Sequence, residues 1–491
     1  MIIRMIMKKV TGAIALIAVL AAGWTGASWY TGKMIEGEMA EAMQLAHNKL
    51  QSLTPTPLLN LSYRDYQRGI FSSQMRMVIT NATEEKVEPG EITDYAHEVV
   101  ILQTIHHGPF PLAQLKRFTL KPLLASLHSE LEENAAVKPL FAFTQGKSLL
   151  TADTRIAYNG DIHSAMNIIP VHFDKEGVKV DFSGAVMTLS ADKALADVKV
   201  SANIDSFALD ASAATSDKGK MTFNGFTIDN VTHLSPAQIR VGTQKFGLKQ
   251  FTLNTESGKS GSVEDFSLVS QFDEKDGVLV GQQDYRVAGV KIKDVDFGSG
   301  ALAIKVDQLD AAAFKKLYDS YDQLIKQMLL KSDYDEQKLT EFADTHVPAL
   351  LASSPRFHIG PLRWQNSKGE GTVSLNIDLQ KPASETFAGN EDQYFAGALK
   401  NIEMNVDLPL PMLTEVLVQM AALEGIAASD AQDAAKMSAD AVAHMGSQLQ
   451  LSTVKDEVIS SHFQYTDNAI TLNGKKMSPE EFLGTYSPFI P

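Results

Sequence analysis

Val198-Lys-Val200-Ser-Ala202-Asn-Ile204 alternates an apolar with a polar residue at every step. Upstream, Val178-Lys-Val180-Asp-Phe182 keeps the same period, and downstream so does Leu302-Ala-Ile304-Lys-Val306. A period of two places one set of side chains on a buried face and the other in water, the signature of an antiparallel strand. Phe207 and Leu209 then change parity, which predicts a bulge or a strand end. Phe266, Leu268 and Phe272 share one face, and Val290 and Ile292 precede Val295 and Phe297 with a second parity change. Turn-forming pairs such as Asn159-Gly160, Glu176-Gly177 and Asp276-Gly277 separate the runs. Gly298-Ser299-Gly300 reads as one more turn between strands.

Working outward, Phe314, Leu317, Tyr321, Leu324 and Met328 follow the three-four spacing of an amphipathic helix, with Leu339, Phe342 and Val347 extending it towards Pro355. Strands resume at 357–364, 373–379 and 402–410. Met412, Val416 and Met420 open a second helical block, which an Ala-rich stretch, 427–445, extends after a break at Gly425. Alternation returns from Thr453 to Leu472 and closes on Asn473-Gly474, a hairpin turn. The expected fold is α+β: a large twisted antiparallel β-sheet body with two helical insertions.

Val10 to Tyr30 contains 21 residues without a charge, reaching roughly 31 Å as a helix, about one bilayer core. Arg4, Lys8 and Lys9 precede it and Lys33 is the first charge after it. The positive-inside rule then keeps the N-terminus cytoplasmic and sends the rest across the membrane. Trp24, Trp29 and Tyr30 cluster where an interfacial aromatic belt would sit. A cleaved signal peptide shares the basic start and apolar core, but this stretch exceeds an ordinary signal core and bulky Trp residues crowd the small-residue sites. Ala18, Ala22 and Gly26 form a small-residue stripe suited to helix–helix contact. The division that follows is a cytoplasmic N-terminus at 1–9, a transmembrane anchor at 10–30, and a membrane-proximal helix and linker at 31–57. A mainly β region at 58–310 and an α+β region at 311–491 complete it.

The formal charge is −15. Beyond residue 33 the chain carries 40 basic against 59 acidic groups, a net of −19, which excludes a phosphate backbone as partner and argues against the body lying flat on anionic lipid. Cysteine is absent, so disulfides, thiol nucleophiles and thiolate metal sites are excluded. No phosphate-binding loop, dinucleotide fingerprint, zincin helix or nucleophile elbow is present, and no cofactor is expected. His106-His107-Gly108-Pro109-Phe110 is the densest His cluster, yet neighbouring strand residues point to opposite faces and rarely share a metal. Tyr63-Arg64-Asp65-Tyr66-Gln67-Arg68-Gly69 is rich in hydrogen-bonding groups and reads as a polar strand edge and turn.

Several segments together resemble one family. Trp24-Thr25-Gly26 with Trp29-Tyr30-Thr31-Gly32-Lys33, then Tyr66-Gln67-Arg68-Gly69-Ile70-Phe71-Ser72-Ser73, are similar to the YdgA-like bacterial proteins. His107-Gly108-Pro109-Phe110-Pro111-Leu112, Asp296-Phe297-Gly298-Ser299-Gly300 and Ile470-Thr471-Leu472-Asn473-Gly474-Lys475 continue the likeness in order. The resemblance implies an inner-membrane-anchored, single-pass protein with its bulk in the periplasm that self-associates as a homodimer. It supplies no catalytic residues. Met1 to Ile6 precede the family-like Met7-Lys8-Lys9, so Met7 is a second candidate start.

The leading expectation is a non-enzymatic envelope protein acting by self-association or partner binding. The alternative is a lipid-binding or lipid-transfer protein, since an apolar sheet face can shield acyl chains at about 0.8 kcal/mol per buried CH2. A continuous apolar groove lined by residues 178–306 would favour lipid; helices covering that face would favour the scaffold. An envelope hydrolase is the third reading, which a polar pocket gathering His107, Tyr66 and Arg68 would revive.

Overall fold

The structure is a computed structural model describing residues 2–53, 59–81, 98–175, 177–212, 218–331, 336–382 and 391–486. Side chains are described in these ranges except at 2–18, 49–53, 81, 322, 325–331, 336, 337, 391–393, 395 and 428. The chain folds as two compact units: Met1–His172, Ser183–Ala202 and Ile325–Leu330 form the first, and Phe173–Phe182, Asn203–Leu324 and Lys331–Pro491 the second.

The first unit opens with a long helix, α1 (Ile2–Leu53). Among the described residues no helix is long and apolar enough to cross a membrane. Residues 10–18 of the expected span lie outside the described side chains. An antiparallel meander follows, through β1 (Leu59–Arg68), β2 (Ser72–Asn81), β3 (Val99–His107), the single turn α2 (Leu112–Leu115), β4 (Ala125–Leu131), α3 (Lys138–Phe143), β5 (Leu150–Ile156) and β6 (Ile162–Ile168). The chain then passes through β7 (Val171–Lys175) and β8 (Val178–Phe182), of which residues 173–182 belong to the second unit, and returns to the first at β9 (Ala185–Ala191), which pairs with β6. Helix α1 lies on one face of the meander: Met39 packs with Met75 of β2, Ile105 of β3 and Ala125 of β4, flanked by Ile35, Met43 and Tyr66. Residues Trp24, Ser28, Gly32, Ile35, Met39 and Met43 recur every three or four positions, so they form one stripe of the helix.

The second unit carries the long strands. They are β10 (Asp197–Asp210) from Asn203 onward, its first residues belonging to the first unit, then β11 (Gly219–Leu234), β12 (Arg240–Thr255), β13 (Ser260–Lys275), β14 (Val278–Ile292) and β15 (Val295–Asp310), paired in sequence from β11 onward by tight turns. Helices α4 (Ala311–Lys331) and α5 (Glu336–Leu351) interrupt them before β16 (Arg356–Asn366) and β17 (Gly369–Leu379). Then come α6 (Glu391–Ala398), β18 (Leu399–Pro409), α7 (Leu410–Leu423), α8 (Ala428–Gln448), β19 (Thr453–Lys455), β20 (Val458–Thr466), β21 (Ala469–Leu472), β22 (Lys475–Met477) and α9 (Pro479–Tyr486). Val241, Leu279, Leu309 and Ala311 form a buried cluster with Phe314 and Leu350, fixing α4 and α5 to the ends of β12, β14 and β15. Helices α7 and α8 are joined through Gly425 at φ 84, and α8 buries Ala431, Ala435, Ala439 and Ala443 at four-residue intervals. The fold is α+β, a large antiparallel sheet with several helices.

Two local expectations change. Gly298-Ser299-Gly300 is not a turn; it lies inside β15, where Gly298 adopts φ 88 and bulges the strand against β14. The actual turn is Lys293-Asp294, flanked by the pair Ile292 and Val295. The parity change at Phe207 marks an exchange of partner within an unbroken strand: β10 pairs first with β9, then with β8, where Phe207 stands opposite Phe182.

Candidate functional site

The second unit presents the largest chemical feature. Strand register places Phe226, Ile228, Phe246, Leu248, Phe266 and Leu268 on one face, because Phe226 opposes Leu248, Leu248 opposes Phe266 and Ile228 opposes Phe246. Tyr285 and Leu302 extend that row, opposing Leu268 and each other. Past one level of the sheet the apolar positions switch from even to odd numbers, to Met221 and Phe223 in β11, Phe251 and Leu253 in β12, and Val263 in β13. Gly225 (φ 65), Lys249 and Asp265 (φ 46) stand at that level, each between two paired positions of its strand. The switches therefore coincide and keep the apolar side chains on one face. The Phe223 and Phe226 rings, three residues apart, are 6.4 Å apart, which neighbours on opposite faces could not be.

The rings form a ladder across the strands. Phe182 meets Phe207 at 6.4 Å, Phe207 stacks on Phe223 at 5.1 Å, Phe226 meets Phe246 edge-on at 5.1 Å, and Phe246 meets Phe266 at 5.9 Å. The row continues past β15 through Ile304 and Ile359, Phe357 and Ile377, Leu375 and Met404, then Met404 and Phe463. A sheet face dressed throughout by other elements is buried; this one meets helices at its ends, where Phe482 of α9 packs 5.5 Å from Phe463 and where Phe314 of α4 and Leu350 of α5 pack with Phe272 and Val306. Here Phe223, Phe226, Phe246, Phe251, Phe266 and Leu268 are all only half-buried, while Leu253 and Ile359 are 38% and 37% exposed. The opposite face is polar, with Asp229, Lys245, Asp284, Lys305, Asn376 and Glu403 alternating with the apolar row. An open groove of about 780 Å³ on that polar side is bordered by His233, Asp273, Lys305, Asp307 and His358. Among the described residues no cluster of His, Asp and Glu has metal-binding geometry.

The motif residues gather in the first unit, where α1 meets β1 to β3. Tyr66 donates to Ser73 Oγ at 3.0 Å, and Ser73 Oγ lies 2.8 Å from His107 Nε2. His107 Nδ1 lies 3.2 Å from the Ile70 carbonyl, which can only accept, so Nδ1 carries the proton and Nε2 accepts from Ser73. The relay thus runs Tyr66 to Ser73 to His107 to Ile70. Burial pushes the His107 pKa down from 6.5, and burial likewise pushes the Tyr66 hydroxyl up, so the relay is neutral. Ser73 and His107 are both 1% exposed. Gly32 of α1 closes over the imidazole: a Cβ there would stand 2.5 Å from His107 Nδ1. Ser73 and His107 are thus sealed beneath α1.

Around this relay the other motif residues fasten the helix. The Trp24 indole donates to the Phe110 carbonyl at 3.2 Å and packs 4.7 Å from the Phe71 ring. Arg68 pairs with Glu36 at 2.8 Å and lies 5.5 Å from the Trp29 ring centre, with Lys33 at 5.8 Å on the same ring. Gly69 donates to the Ser72 carbonyl at 2.8 Å in the β1–β2 turn, and Gly108 donates to Leu124 at 2.8 Å. Pro109 accepts from Leu123 at 3.0 Å. Gln67 is exposed and pairs in register with Gln74. Tyr30 is 63% exposed. Ala22 and Gly26 are exposed, two residues from Trp24 and Ser28 and so on nearly the opposite side of the helix. The side chains of Lys8, Lys9 and Ala18 lie outside those described. Ser73 and Gly32 are the relay members that motif reading left without a role.

A family model described as a bacterial protein of unknown function (DUF945) matches residues 7–480. Protein YdgA of Escherichia coli (strain K12) is 32% identical over 98% of this chain and 97% of its own length. The uncharacterized protein YihF of the same strain is 25% identical over 99% of this chain and all of its own. An uncharacterized protein of Haemophilus influenzae is 24% identical over 38% of this chain and 49% of its own. No solved structure matches.

Proposed function

Because the chain belongs to the bacterial DUF945 family, whose function is unknown, we propose that it is an inner-membrane-anchored periplasmic protein of the cell envelope that holds acyl chains against the apolar face of its sheet. One observation carries the reading: a phenylalanine ladder continued by aliphatic rows lies half-exposed on one face, while the other face is polar. Contiguous apolar surface of this kind is rare on soluble proteins and marks a ligand or interaction site. Acyl chains suit it because the face offers mainly apolar area, bordered by one polar row, Asn230, Gln244, Ser270 and Gln283, beside which a headgroup could sit. The anchor rests on the uncharged run that starts at Val10, whose end from Trp24 onward docks on the first unit, and on the basic residues that precede it. The role is non-enzymatic: the Ser73–His107 pair is a clamp for α1 and not a reaction centre.

The test is to release the full chain from its native membrane in lipid nanodiscs, exchange it into mild detergent, and weigh the intact complex. The reading expects phospholipid at about one or more molecules per chain, lost when Phe246 and Phe266 are both changed to Ser. A lipid-free chain that retains its fold contradicts it.

A second reading, self-association through α1, is favoured by the same helix. Its docking stripe leaves Ala22 and Gly26 on the other side, and Gly26 has no atom within 4 Å of where a Cβ would be. Disulfide trapping of Gly26→Cys in membranes checks it, with a covalent dimer expected.

A further inference from the structure

Lys116-Arg117-Phe118-Thr119-Leu120-Lys121 is a basic and apolar hexapeptide in a chain that is otherwise acidic. It follows α2 and is held by backbone hydrogen bonds: Arg117 and Thr119 donate to the Gln114 carbonyl and Phe118 to that of Leu115, each at 3.0 Å. These bonds cap the helical turn and set Phe118 at φ 54, a conformation that bulky residues avoid. Phe118 is 94% exposed and Leu120 72%. A capped loop that strains its backbone in order to leave a phenylalanine in water points to a use for that ring.

The surroundings identify the use. Leu120 lines an open apolar depression of about 200 Å³ with Trp24, Phe110 and Leu115. Trp24 is the interfacial aromatic of α1, and Val19 and Leu20, one turn before it, are 68% and 63% exposed. Leu20 lies one turn before Trp24 on the same side of α1, so the depression that Leu120 lines leads towards the apolar run. Arg117 carries a partner, Asp153 at 2.9 Å, itself shared with His128 at 2.8 Å. Lys116 and Lys121 flank the two apolar residues in the chain. Exposed apolar side chains flanked by lysines match the boundary between acyl chains and anionic headgroups.

We propose that this loop is a second membrane contact, inserting Phe118 and Leu120 into the anionic leaflet around α1. It rests on the anchored reading above. The net negative charge of the body repels anionic lipid elsewhere, so the contact is confined to this loop and fixes how the first unit sits on the bilayer. The chain has no cysteine, so single labelling sites are available without background.

The test is to reconstitute full chains carrying Phe118→Cys, Leu120→Cys, Leu20→Cys or Met437→Cys, each with an environment-sensitive fluorophore, into nanodiscs of phosphatidylglycerol and phosphatidylethanolamine holding brominated acyl chains. Met437, 73% exposed on α8, is the water reference. The proposal expects blue-shifted emission and strong quenching at 118 and 120 and none at 437. Adding Lys116→Glu and Lys121→Glu should then remove most of the quenching at 118. Labels at 118 and 120 that report water while Leu20 reports lipid would overturn the loop and leave the anchor standing. Water at Leu20 as well would overturn both, and lipid at 118 and 120 with water at Leu20 would keep the loop and overturn the anchor.

Discussion

Gly32 of α1 touches His107 of β3 so closely that any side chain on the glycine would collide with the imidazole. Two motif segments separated by most of the first unit are therefore one contact. Its tightness explains why the helix carries glycine in the middle of its docking stripe, where alanine would be the better helix former.

Gly32→Ala should lower stability by about 1–3 kcal/mol, the usual range for overpacking a filled site. Scanning calorimetry and Trp24 fluorescence read it, with a lower melting temperature and a wetter indole expected. An unchanged melting temperature would mean that the helix does not seat on His107.

His107 is held neutral by burial, with a pKa below 6.5. The unfolded chain takes up a proton at 6.5 that the folded chain resists, so the folded state binds fewer protons just below that pH. Stability is accordingly full above pH 6.5 and falls as the pH drops below it. His106, also lowered by burial, contributes with the same sign. Asp153, though partly desolvated, is lowered by His128 and Arg117 from 3.8 and acts only in stronger acid. Urea midpoints at successive pH values should decline through the mildly acidic range, and His107→Gln should flatten the decline without abolishing it.

Gly225→Val should be destabilising beyond the loss of a glycine's freedom. The residue sits at φ 65, and a Cβ would meet Lys249 side-chain carbons at 2.6 Å. The expected loss is about 1–3 kcal/mol, seen as a shifted denaturation midpoint. A neutral result would mean that the parity switch is not held by this glycine.

How much of this was legible beforehand divides along physical lines. Alternation identified the long strands because a period of two is local, and Val198 to Ile204 carries it without help from any partner. The change at Phe207 was visible, but its cause, an exchange of strand partners, was not, since pairing is a long-range choice. The aligned switch at Gly225, Lys249 and Asp265 is invisible in any single strand and exists only in the register. Likewise Tyr66, Ser73 and His107 come together through the pairing of β1, β2 and β3. The motif residues were each found; the helix clamp they build was not.

Phe246→Ser separates folding from binding. The ring is half-buried, so its removal should destabilise less than the roughly 3–5 kcal/mol of a core phenylalanine deletion. On the proposed reading, affinity for a fluorescent fatty acid should fall about tenfold or more, since the half-buried ring would face the acyl chain. Equal binding by both proteins would remove the ladder from the account.

The most direct measurement places a photoreactive benzophenone amino acid at position 246 or at position 245 of the full chain in its native membrane. The two side chains leave the same strand on opposite faces. The account predicts phospholipid adducts at 246 and none at 245. Adducts only to a second copy of the chain at 246, or equal lipid labelling at both positions, would contradict it.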